Sequence, residues 1–256
     1  MTTAIVLAAG RGSRLDRYTN HLPKALVRIG GRSLLDWNLR ALEAAGVGSV
    51  VVVGGYRAET LARAGVEIVV ARDWESAGPF ASLLAARPSR FDEPFLVVYG
   101  DCVHHADNLG RVLAHDADIA VAGDRAWRAL WNERHDEPLL DAETYRHRDG
   151  ALVAIGSRAS SDVDVEAQFA GLLRFSPAGW RSVEQMIARS RDVPFDTTSL
   201  LAALLDHGTP IADVPIHGRW AEVDSAHDLR LYRSRLHAST SWLHDWRASQ
   251  GDTPCR

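Results

Sequence analysis

Only two cysteines occur in the 256 residues, Cys102 and Cys255. They form neither a metal-ligand spacing nor a disulfide framework. A reducing, cytoplasmic compartment is the expectation. No stretch approaches the ~20 consecutive apolar residues that a membrane-spanning helix needs. Residues 1–7 are mostly apolar, but the run is short and has no cationic flank, so no signal peptide is expected there. Positive charge is not in excess either: 29 Lys and Arg stand against 33 Asp and Glu, a net charge of −4. Nucleic-acid binders usually carry a basic surface, so neither nucleic acid nor membrane is an expected partner. Internal repeats, low-complexity tracts and obvious linkers are also lacking. The remainder is an ordinary globular composition, 46% hydrophobic and 24% charged. A chain of this length can bury a sizeable core without a disulfide or metal staple.

The first hundred residues alternate in kind. Residues 4–8, 50–53 and 95–99 are apolar runs, as buried parallel strands are, and 66–70 also reads as a strand. Residues 33–46, 57–64 and 80–86 carry helical spacing, with Ser33 as a cap and Gly46 as a stop. Strand and helix in alternation predict an α/β fold with a doubly wound, mainly parallel sheet. A further strand is expected at 119–122. From about Trp127 the pattern changes, and 144–147, 152–155 and 167–175 read as antiparallel strands that extend the sheet and cover the site. Helices are predicted over 177–189 and 199–207, a strand over 211–216, and a final helix from Ser225 to about Trp246, with Asp228 as a charge near its positive end. The expectation is one domain over 1–248, its nucleotide-binding half about 1–125 and its acceptor half about 126–248, with 249–256 a disordered tail.

Ligands of such sheets bind beyond the carboxyl ends of the strands. The first of these ends reads Leu7-Ala8-Ala9-Gly10-Arg11-Gly12-Ser13-Arg14-Leu15, followed by Leu22-Pro23-Lys24. Small residues let backbone N–H groups approach an anion. Arg11 and Arg14 add directional donors for phosphate oxygens, and Lys24 adds a point charge. Two better-known phosphate loops do not fit. A Walker loop needs Gly-Lys-Ser/Thr after four intervening residues. A dinucleotide loop needs a third glycine where Leu15 stands and an acid where Gly54 stands.

This segment resembles the N-terminal motif of the nucleotidyltransferase superfamily, which makes nucleotide sugars and CDP-activated head groups. The match runs through Lys24 without a gap. The resemblance implies that Leu7, Ala8, Ala9, Gly10, Arg11, Gly12 and Ser13 frame the nucleotide. It also implies that Arg14 and Lys24 hold the phosphates through the transition state. Gly100-Asp101 ends another buried strand, so the Asp101 carboxylate faces the site. Trp220-Ala221-Glu222-Val223-Asp224-Ser225 is similar to the superfamily's second acidic element. Asp101 and Asp224 are therefore candidates to hold Mg²⁺, a hard ion suited to carboxylate oxygens, with Glu222 beside them for the same or a second ion.

Beyond these motifs the chain looks most like the phosphocholine and phosphonate cytidylyltransferases. The likeness lies in Asp73-Trp74 before Gly78-Pro79-Phe80-Ala81-Ser82-Leu83, in Asp141-Ala142-Glu143-Thr144-Tyr145, and in the run from Gln168 to Phe175. It implies CTP as the donor, with Gly78 and Ser82 near the nucleotide. The sequence departs from the phosphocholine pattern at Gly78-Pro79, where Asn-Asn is frequent. That leaves the acceptor open between phosphocholine, a phosphonate and another small phosphate. Trp127, Trp131 and Trp220 could cage a quaternary ammonium. Arg128 and Arg134 could instead hold an anionic acceptor. His104-His105 lies just past Asp101 without the spacing of a metal site. Two alternatives stay open: a sugar-1-phosphate nucleotidyltransferase using UTP, GTP or dTTP, and a non-catalytic NTP sensor. The expected partners are an NTP and a small acceptor, on a monomer or homodimer.

Overall fold

The structure, a computed structural model, describes residues 2–76, 78–189, 195–238 and 241–247. The expected tail over 249–256, and Cys255 with it, lies outside the described residues. In chain order the strands are β1 (Thr3–Ala8), β2 (Arg28–Ile29), β3 (Arg32–Ser33), β4 (Ser49–Gly54), β5 (Val66–Val70), β6 (Phe95–Tyr99) and β7 (Cys102–His104). They continue as β8 (Ile119–Asp124), β9 (Glu143–Arg148), β10 (Ala151–Arg158), β11 (Gln168–Phe175), β12 (Ala212–Ile216) and β13 (Trp220–Glu222). The α-helices are α1 (Leu34–Ala44), α2 (Gly78–Ala85), α3 (Ala106–Leu113), α4 (Trp127–Arg134), α5 (Pro177–Arg189), α6 (Thr197–Asp206) and α7 (Ala226–His237).

Nine strands form one sheet in the order β5-β4-β1-β6-β11-β8-β12-β10-β9. The half from β5 to β6 is parallel throughout. β11 then runs antiparallel to both β6 and β8, and β10 runs antiparallel to β12 and β9. The predicted fold class, doubly wound and mixed with an antiparallel extension, is the one observed. Helices cover both faces, which is why the early strands read as unbroken apolar runs. Along β1 the side chains divide between two cores: Ala4 and Val6 pack with Leu35 and Leu42 of α1, and Ile5 packs with Phe80 and Leu83 of α2. Register puts Ala8 beside Gly54 and Leu7 beside Tyr99. The loops after β1, β4 and β6 therefore open on one edge of the sheet, as expected of a site there.

Two predicted helices are corrected. Residues 57–64 make only a single 3-10 turn, Ala58–Leu61, entered through Arg57 at φ 48° and closed by Gly65 at φ 74°. The segment is too short to sustain a helix by itself. The final helix does not reach Trp246; it ends at His237. The chain then returns to the helix and seats Trp242 and Trp246 on the Tyr232 ring at 5.3 and 6.3 Å, with Trp246 edge-on to Trp37. Burying these aromatic surfaces outweighs continuing a helix into water. Trp246→Ala is therefore expected to lower stability by about 3–5 kcal/mol, readable in urea unfolding. A midpoint unchanged from wild type would mean that the returning segment is not part of the core. α3 and α4 were not anticipated from the sequence, nor was the β7–β13 pair. No helix among the described residues is long and apolar enough to cross a membrane.

Candidate active site

The loop after β1 shapes the site through one glycine. Gly12 has φ 76°, and a Cβ there would lie 2.8 Å from Lys24 Cβ and 2.9 Å from its Cγ and Cδ. A side chain at position 12 would thus displace the lysine stem. The loop is fastened by the fully buried Leu15 and by Thr19 Oγ1, which donates to the Gly12 carbonyl at 2.9 Å. Held against Gly12, Lys24 extends its Nζ to Asp101 Oδ2 and Asp224 Oδ1, both at 2.7 Å. Arg14 reaches Asp224 Oδ2 at 2.6 Å, with most of its side chain in solvent. Burial alone would lower the Lys24 pKa, but Asp101 and Asp224 outweigh it and hold the ammonium above its usual range. Burial likewise opposes the Asp224 charge, and Lys24 and Arg14 overcome it, so its pKa is depressed.

The acids come together through the small β7–β13 pair. It sets Glu222 opposite Cys102, and Val223 N donates to the Asp101 carbonyl at 2.9 Å. One oxygen each of Asp101, Glu222 and Asp224 lies within 4.8 Å of the others. Burial, with Asp101 and Asp224 nearby, pushes Glu222 up to about 7, while Arg134 pulls the other way. Three converging carboxylates make a donor set that fits Mg²⁺, which takes oxygen ligands and commonly uses one or two carboxylates plus substrate phosphates.

Two hollows meet at this centre. The smaller, about 170 Å³, lies between the β1 loop and α2; Leu7, Ala9, Gly10, Trp74, Gly78 and Ser82 line it. Of the other loop candidates, Ala8 is buried in the sheet, Ser13 begins a 3-10 turn, and Arg11 lies 5.5 Å over the Tyr56 ring. The larger, about 360 Å³, is lined by Arg14, Lys24 and the three acids among others. Tyr99, Pro79 and Asp101 belong to both. Gly171, at φ 67°, forms part of the larger floor; a Cβ there would meet Cys102 Sγ at 2.7 Å and Tyr99 Cβ at 3.0 Å.

The acceptor candidates separate here. Trp131 and Trp220 both line the larger hollow. Trp220 Nε1 donates to Asp124 Oδ2 at 2.8 Å, and Trp131 Nε1 donates to Asp141 Oδ2 at 3.1 Å. His104 stacks on Trp220 with ring centroids 5.8 Å apart. Burial lowers its pKa to about 4, so the ring that backs Trp220 is neutral. His105 caps α3, its Nδ1 accepting from Asp107 N. Trp127 turns into the core, where its Nε1 donates to the Val165 carbonyl. The two arginines are corrections. Arg128 pairs with Asp162, and Arg134 is buried between Glu222 and Asp228. Neither lines the hollow; an arginine's charge is visible in sequence, but its partner is not. The hollow's walls carry Asp141, Glu143, Asp196 and Thr198 instead. The sequence reading starts this helix at 199, after Asp196; the structure starts it at Thr197, with Asp196 Oδ1 accepting from Ser199 N at 2.7 Å.

An open-edged α/β sheet with a glycine loop, a paired lysine and a carboxylate cluster at its strand ends defines a nucleotide-handling enzyme class. Residues 4–163 match the MobA-like NTP transferase domain, and the chain belongs to that family of nucleotidyltransferases. It is 28% identical over 250 residues to the CTP:phosphoglutamine cytidylyltransferase of Campylobacter jejuni, covering 89% of this chain and 98% of the relative. It is 34% identical over 245 residues to the UTP–glucose-1-phosphate uridylyltransferase AglF of Haloferax volcanii, covering 93% and 98%. The inositol-1-phosphate CTP transferase from T. maritima has the same fold, with a TM-score of 0.73 at 21% identity over 94% of this chain and 98% of that one.

Proposed function

We propose that the protein joins CMP from CTP to the phosphate or phosphonate oxygen of a small acceptor and releases pyrophosphate, with Mg²⁺ as cofactor. The observation that carries this is the meeting of two hollows at Asp101. A nucleoside in the smaller hollow and an acceptor in the larger have their reacting groups beside Lys24, Arg14 and the acids. The acceptor oxygen is already anionic near neutral pH and needs no strong general base. What the chain must do is align that oxygen with the α-phosphorus and offset the charge that grows there. Asp101 and Asp224, with Glu222 beside them, would hold Mg²⁺, which neutralises phosphate charge when bound. Lys24 and Arg14 are then free to turn from the carboxylates to phosphate oxygens. CTP as the donor is supported by the similarity to the cytidylyltransferase over 89% of this chain, and the uridylyltransferase similarity over 93% makes UTP the rival donor.

The walls of the larger hollow favour an acceptor with a cationic far end. Asp141, Glu143 and Asp196 line it, and among the described residues its only Lys and Arg are Lys24 and Arg14, both already paired with Asp224. Burial, then the nearby Asp196 and Asp141 charges, raise the Glu143 pKa. An entering ammonium would relieve that repulsion, and Trp131, Trp220 and Phe169 supply apolar and π surface beside it. Glu143→Gln is expected to raise the acceptor KM roughly 10–100-fold, the worth of one hydrogen bond to a charged group, with the CTP KM little changed. An unchanged acceptor KM would remove Glu143 from recognition. The reading as a whole is tested by pyrophosphate release with Mg²⁺, crossing CTP, UTP, GTP, ATP and dTTP with phosphocholine, 2-aminoethylphosphonate, a carboxylated phosphonate and several sugar 1-phosphates. Turnover with CTP and the amino-bearing acceptors is expected. Turnover confined to a sugar 1-phosphate would keep the chemistry and overturn the acceptor.

A further inference from the structure

Behind the acid cluster lies a buried ion network that the transfer itself does not require. Arg134, at the end of α4, has a side chain only 1% exposed. Its Nη1 donates to Glu222 Oε2 at 3.1 Å and its Nε to Asp228 Oδ1 at 3.2 Å. Asp228, equally hidden in the first turn of α7, uses its other oxygen to accept the main-chain N–H groups of Asp224 at 2.9 Å and Ser225 at 2.8 Å. The guanidinium also lies 4.9 Å over the ring of Trp131, in the wall of the larger hollow. One side chain therefore touches the Glu222 carboxylate, the partner that fixes the Asp224 backbone, and the acceptor wall.

Stability is a poor explanation for this arrangement. Taking an arginine and an aspartate out of water is costly, and apolar residues of similar volume often serve a fold as well or better. Geometry is a better one. The planar guanidinium presents donors at fixed angles, so Glu222 and Asp228 are held in one relative placement that a lysine ammonium does not dictate. Tyr232 adds a third restraint, its hydroxyl donating to the Glu222 carbonyl at 2.8 Å.

We propose that Arg134 and Asp228 are positioning residues for the divalent-cation site: they aim the Glu222 carboxylate and fix the Asp224 backbone so that both converge with Asp101. The inference rests on the reading of these three carboxylates as that site. Neither residue lines either hollow. The network joins elements distant in sequence, α4, β13 and α7, so a change at Arg134 acts first on Glu222 and on the Asp224 backbone.

The test is Mn²⁺ binding, followed by electron paramagnetic resonance with saturating α,β-methylene CTP, alongside the Mg²⁺ concentration for half-maximal turnover. Arg134→Met, Arg134→Lys and Asp228→Asn are compared with wild type. Arg134→Met and Asp228→Asn should each weaken Mn²⁺ binding at least tenfold and raise the Mg²⁺ requirement to match, while the CTP KM at saturating Mg²⁺ moves less than threefold. Arg134→Lys should recover only a small part. Asp228→Asn keeps an oxygen for the main-chain N–H groups, so it answers the question even where Arg134→Met fails to fold. Folded variants with wild-type Mn²⁺ affinity overturn the inference alone. Wild-type protein that gains no Mn²⁺ site over the nucleotide analogue overturns the cation-site reading, and the inference with it.

Discussion

Lys24→Ala is expected to reduce turnover roughly 10²–10³-fold, the scale of losing one preorganised charge stabiliser. The size follows from how completely the lysine is prepared. Its stem is pressed against Gly12, where no Cβ fits, and its Nζ stands 2.7 Å from both Asp101 and Asp224. Its charge is secured by those carboxylates against the effect of burial. An ammonium held beside the acids has only to turn from them to the phosphates when these arrive, a short move for a charge already secured. The loss should fall on kcat more than on the acceptor KM, because the hollow walls around Asp141 and Glu143 are untouched. Arg14 remains on Asp224 in the variant and limits the repulsion between the acids. Circular dichroism and the unfolding midpoint should therefore stay near wild type. Turnover within a few-fold of wild type would contradict the assignment.

Asp101→Asn is expected to remove Mg²⁺-dependent turnover while leaving the protein folded. Asp101 follows β6 at the open edge of the sheet, and its side chain is a quarter exposed. The tie to the second acidic element runs through its backbone: the Asp101 carbonyl accepts from Val223 N, and asparagine keeps that bond. What asparagine loses is the anionic oxygen, the ligand type that Mg²⁺ prefers. It also frees Lys24 Nζ from one of its two carboxylates. The comparison is turnover across an Mg²⁺ titration beside a thermal melt of the same sample. Lost activity at an unchanged midpoint assigns Asp101 to the chemistry. A variant that melts far below wild type yet retains turnover while folded would make Asp101 structural.

What could be read from the sequence was what is local in it. Gly12 and Lys24 sit in one short segment whose residue types state their own purpose, and Asp101 closes an apolar strand whose direction aims it at the site. The sheet followed from the strand-like runs at β1, β4, β5 and β6. What could not be read depends on partners far away along the chain. Arg134 meets Glu222 and Asp228 across about ninety residues, so its charge suggested an acceptor ligand when its place is behind the acid cluster. Asp228 looked like helix-end decoration, yet it is buried and ties α7 to α4. The chain reversal that seats Trp246 on Tyr232 is a tertiary choice that helical spacing cannot reveal. Asp196 and Glu143 join one hollow only because α6 packs beside β9 and β10.

The central claim, nucleotidyl transfer at the α-phosphorus, is tested most directly with CTP labelled at that phosphorus. The labelled CTP is incubated with the protein, Mg²⁺ and 2-aminoethylphosphonate or phosphocholine. The label should move into a CMP–acceptor adduct, with one pyrophosphate released for each adduct formed, and this transfer should fall with Lys24→Ala. Label that remains in CTP across the acceptor series, or that appears as CDP through attack at the terminal phosphate, would contradict the account.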